Sequence, residues 1–409
     1  MGGNSSRPWT DLSGETYWKG MLDPLDEDLR MYLVHYGERV QAISDGFNGQ
    51  AESKGYGLPR FPMDKLFQEV GLETANNPFR YEVTRYFYVP TKLLDLPLVP
   101  DRSWAGYVAV STDEVTANFG RRDILVAWRG TTEPLEAMSD LIDYLVPATD
   151  IFPKDEHKDV RIHGGWHMLY TKSALFDPYV KHSARDQVLM EVRKQVDLYA
   201  GKDEPISITV VGYSMGAALA TLNALDIVTN KYNVPTDHPE KACLVTAFAF
   251  ASPKVGNESF QELFSSSEKL RGLRVVNAID IVPFFPPVGY DHVGEQLTVD
   301  SRKSPYLRPL TSSLSGAMGI AHQLETYLHL VAGTQGISSN HFDLKGRRDI
   351  SLLNKNWDAL DDSKYKFPVK WWVAKNKDMV QNGNDGSWSM AAPYIPPRPE
   401  DDQNEYSQV

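Results

Sequence analysis

The stretch from Ile206 to Gly216 constrains the chain more than any other. It reads Ile-Ser-Ile-Thr-Val-Val-Gly-Tyr-Ser-Met-Gly, a β-branched strand running straight into Gly212-Tyr213-Ser214-Met215-Gly216. Ala217, Ala218 and Ala220 follow, inside a run to Val228 with small and apolar residues at helical spacing. Strand, G-x-S-x-G and small-residue helix together specify a sharp turn that lifts the Ser214 hydroxyl above the edge of a sheet. Gly212 and Gly216 are needed because side chains there would collide with neighbouring backbone. The new helix points its N-terminus at the hydroxyl, which favours developing negative charge. A bare G-x-S-x-G arises by chance; in this setting it marks Ser214 as a nucleophile. The alternative is an inherited elbow in a protein that no longer turns over substrate.

The rest of the chain supplies a sheet for that turn. Tyr81–Val89, Ala105–Ser111, Asp123–Trp128, Ala242–Phe250 and Gly272–Ala278 read as strands, and Asp123–Trp128 is almost continuously apolar, as in a buried central strand. Residues 25–44 carry Leu25, Leu29, Tyr32, Leu33, Tyr36, Val40 and Ile43 near helical spacing, with Asp23-Pro24 as a start signal. Further helices are expected at 136–145, 184–200, 257–266 and 322–331. Strands alternating with helices predict a mainly parallel sheet covered on both faces. Residues 301–321, rich in Ser, Pro and Gly, predict a mobile loop. The expected organisation is a flexible start over 1–17, one domain over 18–391, and an acidic, Pro-rich disordered tail over 392–409.

A serine hydroxyl needs a base to take its proton, and the base needs an orienting carboxylate. In the α/β-hydrolase arrangement the order along the chain is Ser, then acid, then His. Asp280 stands just past the apolar run Arg274–Ile279, where such an acid belongs; a turn or cap Asp is the plainer alternative. His292, His322 and His329 all follow it. His322 opens a helical stretch after the loop. His292 lies at a strand start, and His329 comes about two turns later, where a buried, satisfied histidine is the simpler reading. His163 and His167 have the H-x-x-x-H spacing of a metal pair, but Gly164-Gly165-Trp166 between them argues against a helix and no third ligand is evident. No metal or cofactor is expected.

Strand Asp123–Trp128 ends in Arg129-Gly130-Thr131-Thr132, which can offer Thr131 to an oxyanion; the backbone N–H of Met215 would be the second donor. Thr131 can equally serve an ordinary turn. The following segment places Leu135, Met138, Leu141, Ile142 and Leu145 on one apolar stripe. It reads as a core helix or as a lid over an acyl pocket, spanning about 133–147 on the lid reading.

Charge and cysteine usage narrow the partners. A formal net charge of −12 argues against nucleic acid and against a polybasic membrane clamp. The single cysteine, Cys243, rules out an internal disulfide framework. No apolar run reaches the roughly 18 residues of a membrane span, and no secretory core or long transit peptide is evident. Met1–Ser6 matches the N-myristoylation pattern at Gly2, which would give marginal, reversible membrane attachment.

Taken together, the motifs resemble the class 3, or fungal-type, lipases, and more narrowly the plant phospholipase A1 class II family. The resemblance is carried by Trp18-Lys19-Gly20 with Asp23-Pro24-Leu25, Ala127–Thr131, Gly164-Gly165-Trp166 with Tyr170, Gly212–Gly216, Ser252–Asn257, Asp280–Pro283 and His322–Glu325. It implies an α/β-hydrolase fold and hydrolysis of the sn-1 ester of glycerolipids at a membrane or micelle surface. By motif position it implies Ser214 as nucleophile, Asp280 as acid, His322 as base, and Thr131 with Met215 at the oxyanion hole. It also suggests a cytoplasmic protein, in contact at most with a membrane surface. Tyr213 stands where similar lipases usually carry His, and Leu135–Met138 lacks their frequent Trp; both departures bear on substrate choice. An acyltransferase using the same triad and a non-catalytic lipase-like regulator are the competing functions. The regulators carry an added large helical domain, for which the roughly 60 residues after 345 are too few.

Overall fold

Alternating side-chain chemistry builds the centre of the molecule. In the computed structural model, which describes residues 7–74, 77–91, 102–131, 144–153, 159–308, 319–344, 348–361, 366–372, 379–383, 385–390 and 392–398, the strands in chain order begin with Tyr81–Val89 (β1), Ser103–Ser111 (β2) and Arg122–Trp128 (β3). They continue with Leu145–Pro147 (β4), Arg161–His163 (β5), Ile206–Tyr213 (β6), Leu244–Phe250 (β7), Leu270–Asn277 (β8) and Glu295–Val299 (β9). Seven of them form one sheet in the order β1-β2-β3-β6-β7-β8-β9. The β1/β2 and β2/β3 pairs are antiparallel, and every pair from β3 to β9 is parallel. This is the mainly parallel sheet of the α/β-hydrolase fold.

The period-two rule sorts each strand onto two cores. Ile124, Val126 and Trp128 of β3, with Ile208 and Val210 of β6, face the helices Ala184–Ala200 and Met215–Thr229. Leu125, Ala127 and Val211 face the helices Glu27–Gly46 and Leu324–Gly333. On that second face lies a buried carboxylate, Asp123, which accepts from the hydroxyls of Tyr36, Tyr81, Ser207 and Thr209 at 2.7–2.8 Å. So many donors satisfy a charge that would otherwise be costly to bury.

The long N-terminal helix starts at Glu27 and not at Leu25. Asp26 is its cap, accepting from the Asp28 and Leu29 N–H groups, and Asp23-Pro24 forms a turn ahead of it. This helix crosses the Leu324–Gly333 helix closely: a Cβ on Gly37 would fall 2.1 Å from Leu328 Cδ2. Buried Arg348 joins the two, donating to Glu38 and to Glu325.

Several boundary expectations change. The helix expected at 136–145 lies outside the described residues up to 143, but Leu145–Pro147 is a strand paired antiparallel with β5. Only Leu145 of the strand overlaps the expected helix, and Pro147 biases the preceding Val146 to extended backbone. The loop expected to be mobile from 301 is tied down over its first residues: Lys303 Nζ donates to the Ile337 and Ser339 carbonyls, and Leu307 bridges Leu360. Residues 309–318 lie outside the described residues. The start of the expected disordered tail is docked, with the Pro396 carbonyl accepting from the buried Tyr179 hydroxyl at 2.6 Å. Residues 399–409 and Gly2 are outside the described set. No helix among the described residues is long and apolar enough to cross a membrane.

Candidate active site

Ser214 sits between β6 and the Met215–Thr229 helix at φ 55° and ψ −127°, a conformation non-glycine residues rarely adopt. Two glycines make it possible. A Cβ on Gly212 would lie 2.1 Å from the Gly216 carbonyl oxygen, and one on Gly216 would lie 2.4 Å from that of Arg129. The Ser214 N–H donates to the Phe250 carbonyl of neighbouring β7 at 2.9 Å, which pins the turn to the sheet.

Parallel register brings the partners to the same edge. Asp280 stands three residues past the end of β8, and His322 stands just ahead of the helix that begins at Leu324. His322 Nε2 is 2.9 Å from Ser214 Oγ, and His322 Nδ1 is 2.7 Å from Asp280 Oδ2. All three residues are 2% exposed. Such a chain lets the imidazole take the serine proton while the carboxylate holds the ring and stabilises its positive charge.

The carboxylate is itself held. Asp280 accepts from the Tyr327 hydroxyl at 2.6 Å and from the Val282 N–H at 3.0 Å. Burial pushes the Tyr327 phenol well above its usual range, so it stays a donor. Asn277 anchors the chain leading to His322: its Nδ2 donates to the Ala321 carbonyl, and its Oδ1 accepts from Ser301. Tyr213 donates its hydroxyl to the His322 carbonyl at 2.8 Å. Burial raises this phenol too. Sequence reading missed the tasks of Asn277, Tyr213 and Tyr327.

The turn after β3 passes beside the elbow. Trp128 pairs with Gly212 in register, and a Cβ on Gly130 would meet Tyr213 at 2.7 Å. Next along the chain, Thr131 Oγ1 is buried with no hydrogen-bond partner among the described residues. Met215 is the first residue of its helix, so its N–H has no acceptor within the helix. A buried hydroxyl left unsatisfied costs stability, which an incoming oxyanion would recover. Leu135, Met138, Leu141 and Ile142 lie outside the described residues.

The remaining histidines are elsewhere. His329 is buried against Ser304 Oγ at 2.8 Å, and burial pushes its imidazole down to about 3. Half-buried His292, near Arg274 and Lys254, is pushed down to about 4, first by burial. A helix, Gly164–Thr171, does run through His167, contrary to the expectation from Gly164-Gly165-Trp166, but His163 stands outside it as the last residue of β5. The glycines fall in its first turn, and His163 caps it by accepting the Gly165 N–H at 3.1 Å. His167 instead meets Asp150 at 2.8 Å. No cluster of three or more metal-ligating side chains occurs among the described residues.

The chain is similar to known proteins. The family profile "Lipase (class 3)" matches residues 125–290. Phospholipase A1-IIgamma of Arabidopsis thaliana is 46% identical over 397 residues, covering 94% of this chain and 92% of that one. Phospholipase A1-II 1 of Oryza sativa subsp. indica is 43% identical over 400 residues, covering 95% and 97%. Among solved structures, the nonglycosylated Yarrowia lipolytica LIP2 lipase overlaps 70% of this chain and 84% of its own, at 19% identity and a TM-score of 0.45. With such identity sustained end to end, the chain belongs to the phospholipase A1-II family of plant class 3 lipases.

Proposed function

We propose that the protein is a phospholipase A1, a serine-dependent hydrolase that cleaves the sn-1 acyl ester of glycerophospholipids or galactolipids. The observation that carries this is His322 bridging Ser214 and Asp280 at hydrogen-bond distance on both sides. Ser214 Oγ attacks the ester carbonyl as His322 Nε2 takes its proton, and Asp280 stabilises the imidazolium. The carbonyl oxygen becomes an oxyanion, held by Thr131 Oγ1 and the Met215 N–H. Collapse breaks the ester C–O bond; the leaving glycerol oxygen takes the proton back from His322, and an acyl-enzyme remains. Water then attacks the acyl-enzyme with His322 again as base, releasing a fatty acid and free Ser214.

The names of the relatives, phospholipase A1, support the positional choice. Ser214 is 2% exposed, so a lipid reaches it only after part of its surroundings moves; a lid over 133–147 is the device we propose. The working place we propose is the cytoplasmic face of a membrane, with N-myristoylation at Gly2 as an auxiliary tether. The test is digestion of phosphatidylcholine carrying distinguishable acyl chains at its two positions. Release of the sn-1 acid is expected; sn-2 release, or transfer to an added alcohol without free acid, would overturn the assignment.

A further inference from the structure

The residue before the nucleophile reaches further into the site than its place in the chain requires. Tyr213 is the last residue of β6 and pairs with Phe250 of β7. The period of two puts its side chain on the face of Val211, the face covered by the Leu324–Gly333 helix. There its hydroxyl meets the His322 carbonyl at 2.8 Å, across 109 residues of chain. Its ring lies 5.2 Å from the His322 imidazole, tilted by 35°. Tyr213 also meets the turn after β3: a Cβ on Gly130 would fall 2.7 Å from Tyr213 Cδ1 and 2.9 Å from the Tyr213 carbonyl oxygen. Gly130 immediately precedes Thr131. One residue therefore joins the nucleophile's strand, the base and the turn that carries Thr131.

We infer that Tyr213 is a positioning residue for the base: its hydroxyl fixes the His322 main chain so that Nε2 stays within reach of Ser214. This rests on the hydrolase reading of the same site. A phenol has one proton to donate. Tyr213 spends it on the His322 carbonyl, so it acts through His322 and not on the substrate. Burial and the nearby Asp280 carboxylate both raise this phenol, which keeps the proton in place. His322 needs the hold because it stands outside its helix, and Gln323 opens that helix without a side-chain cap. The preceding carbonyl, of Ala321, accepts from Asn277 Nδ2 at 2.9 Å. Consecutive carbonyls are thus clamped from β8 and from β6, two strands separated in the sheet by β7. The clamp sets the imidazole at 2.9 Å from Ser214 Oγ and 2.7 Å from Asp280 Oδ2. Small displacements of a reacting group cost rate steeply. The sequence points from Tyr213 to substrate choice; these contacts point to rate, and the two differ in kinetics.

The test is hydrolysis of a soluble ester, p-nitrophenyl butyrate, by full-length wild type, Tyr213→Phe and Tyr81→Phe, each checked for an intact melting transition. Tyr213→Phe removes the hydroxyl and keeps the ring against Gly130. Tyr81→Phe is the reference: it removes a hydroxyl bonded to Asp123 at 2.7 Å, at the opposite end of β3 from Thr131. Tyr213→Phe is expected to lower kcat about tenfold with KM unchanged, and Tyr81→Phe to keep both. The downfield proton NMR signal of the ring N–H that His322 shares with Asp280 reads the same hold without turnover. It is expected to broaden in Tyr213→Phe and to stay sharp in Tyr81→Phe. A raised KM with kcat kept would assign Tyr213 to substrate choice and overturn the inference. So would an unchanged kcat and NMR signal in Tyr213→Phe, or an equal fall in Tyr81→Phe. A wild type that hydrolyses no ester, yet shows a downfield signal that Tyr213→Phe broadens, would overturn the hydrolase reading and leave the hold on His322 standing.

Discussion

At the scale of single residues, the account turns on which histidine is the base. Two candidates follow Asp280 within one stretch, and the structure separates them by their partners. His322 meets Ser214 and Asp280; His329 is spent on Ser304. His322→Ala is expected to lower kcat about as much as loss of Ser214, by roughly 10⁴-fold or more, because triad members act as a unit. His329→Ala is expected to keep kcat within about tenfold while lowering stability by about 1–3 kcal/mol, since it opens a void in the core and removes one hydrogen bond of the half-buried Ser304 hydroxyl. Measuring kcat for both, with folding checked by circular dichroism, decides it; a dead His329→Ala beside an active His322→Ala would reverse the assignment. Ser214, Asp280 and His322 were legible in the sequence because each stands at a motif with its own chemistry. Tyr213, Asn277 and Tyr327 were not, because their work is done by hydrogen bonds between segments distant in the chain, and no local pattern records those.

At the scale of elements, the sequence is most informative where one period runs unbroken. Ala184–Ala200 and Met215–Thr229 end within a residue of their expected limits; the Ser183 side chain caps the first, and the sharp turn at Ser214 opens the second without a side-chain cap. Errors cluster where a single residue type outweighs the pattern. Pro147 biases Val146 to extended backbone, and the resulting strand takes in Leu145, the last residue of the expected helix; His163 starts a helix on glycine by capping it. The elbow shows the same economy of cause. Gly216 packs against the Arg129 and Trp128 carbonyl oxygens, backbone atoms that cannot turn aside. Gly216→Ala should therefore cost about 2–3 kcal/mol and most of the activity. Gly201→Ala should be close to neutral, because nothing lies within 4 Å of its Cβ. Thermal unfolding of the pair checks this, and equal melting temperatures would refute it.

For the whole molecule, buried histidines tie stability to pH. In the unfolded chain His329 titrates near ~6.5, whereas burial holds it down to about 3 in the fold. Between those values the unfolded state binds the extra proton, so stability is full above about 6.5 and falls on acidification toward about 3. His292, pushed down to about 4, adds in the same direction. The urea midpoint of the wild type should drop between pH 7.5 and pH 5, and drop less in His329→Gln; equal drops would contradict the assignment of this linkage to His329. The sheet edge assembles strands β3, β6 and β8 around one hydroxyl. The most direct test of that arrangement is kcat on phosphatidylcholine vesicles for Ser214→Ala against wild type, with matched circular dichroism and melting temperature. The account predicts a fall of about 10⁴-fold or more in a folded protein. A folded Ser214→Ala that turns over near the wild-type rate would contradict it.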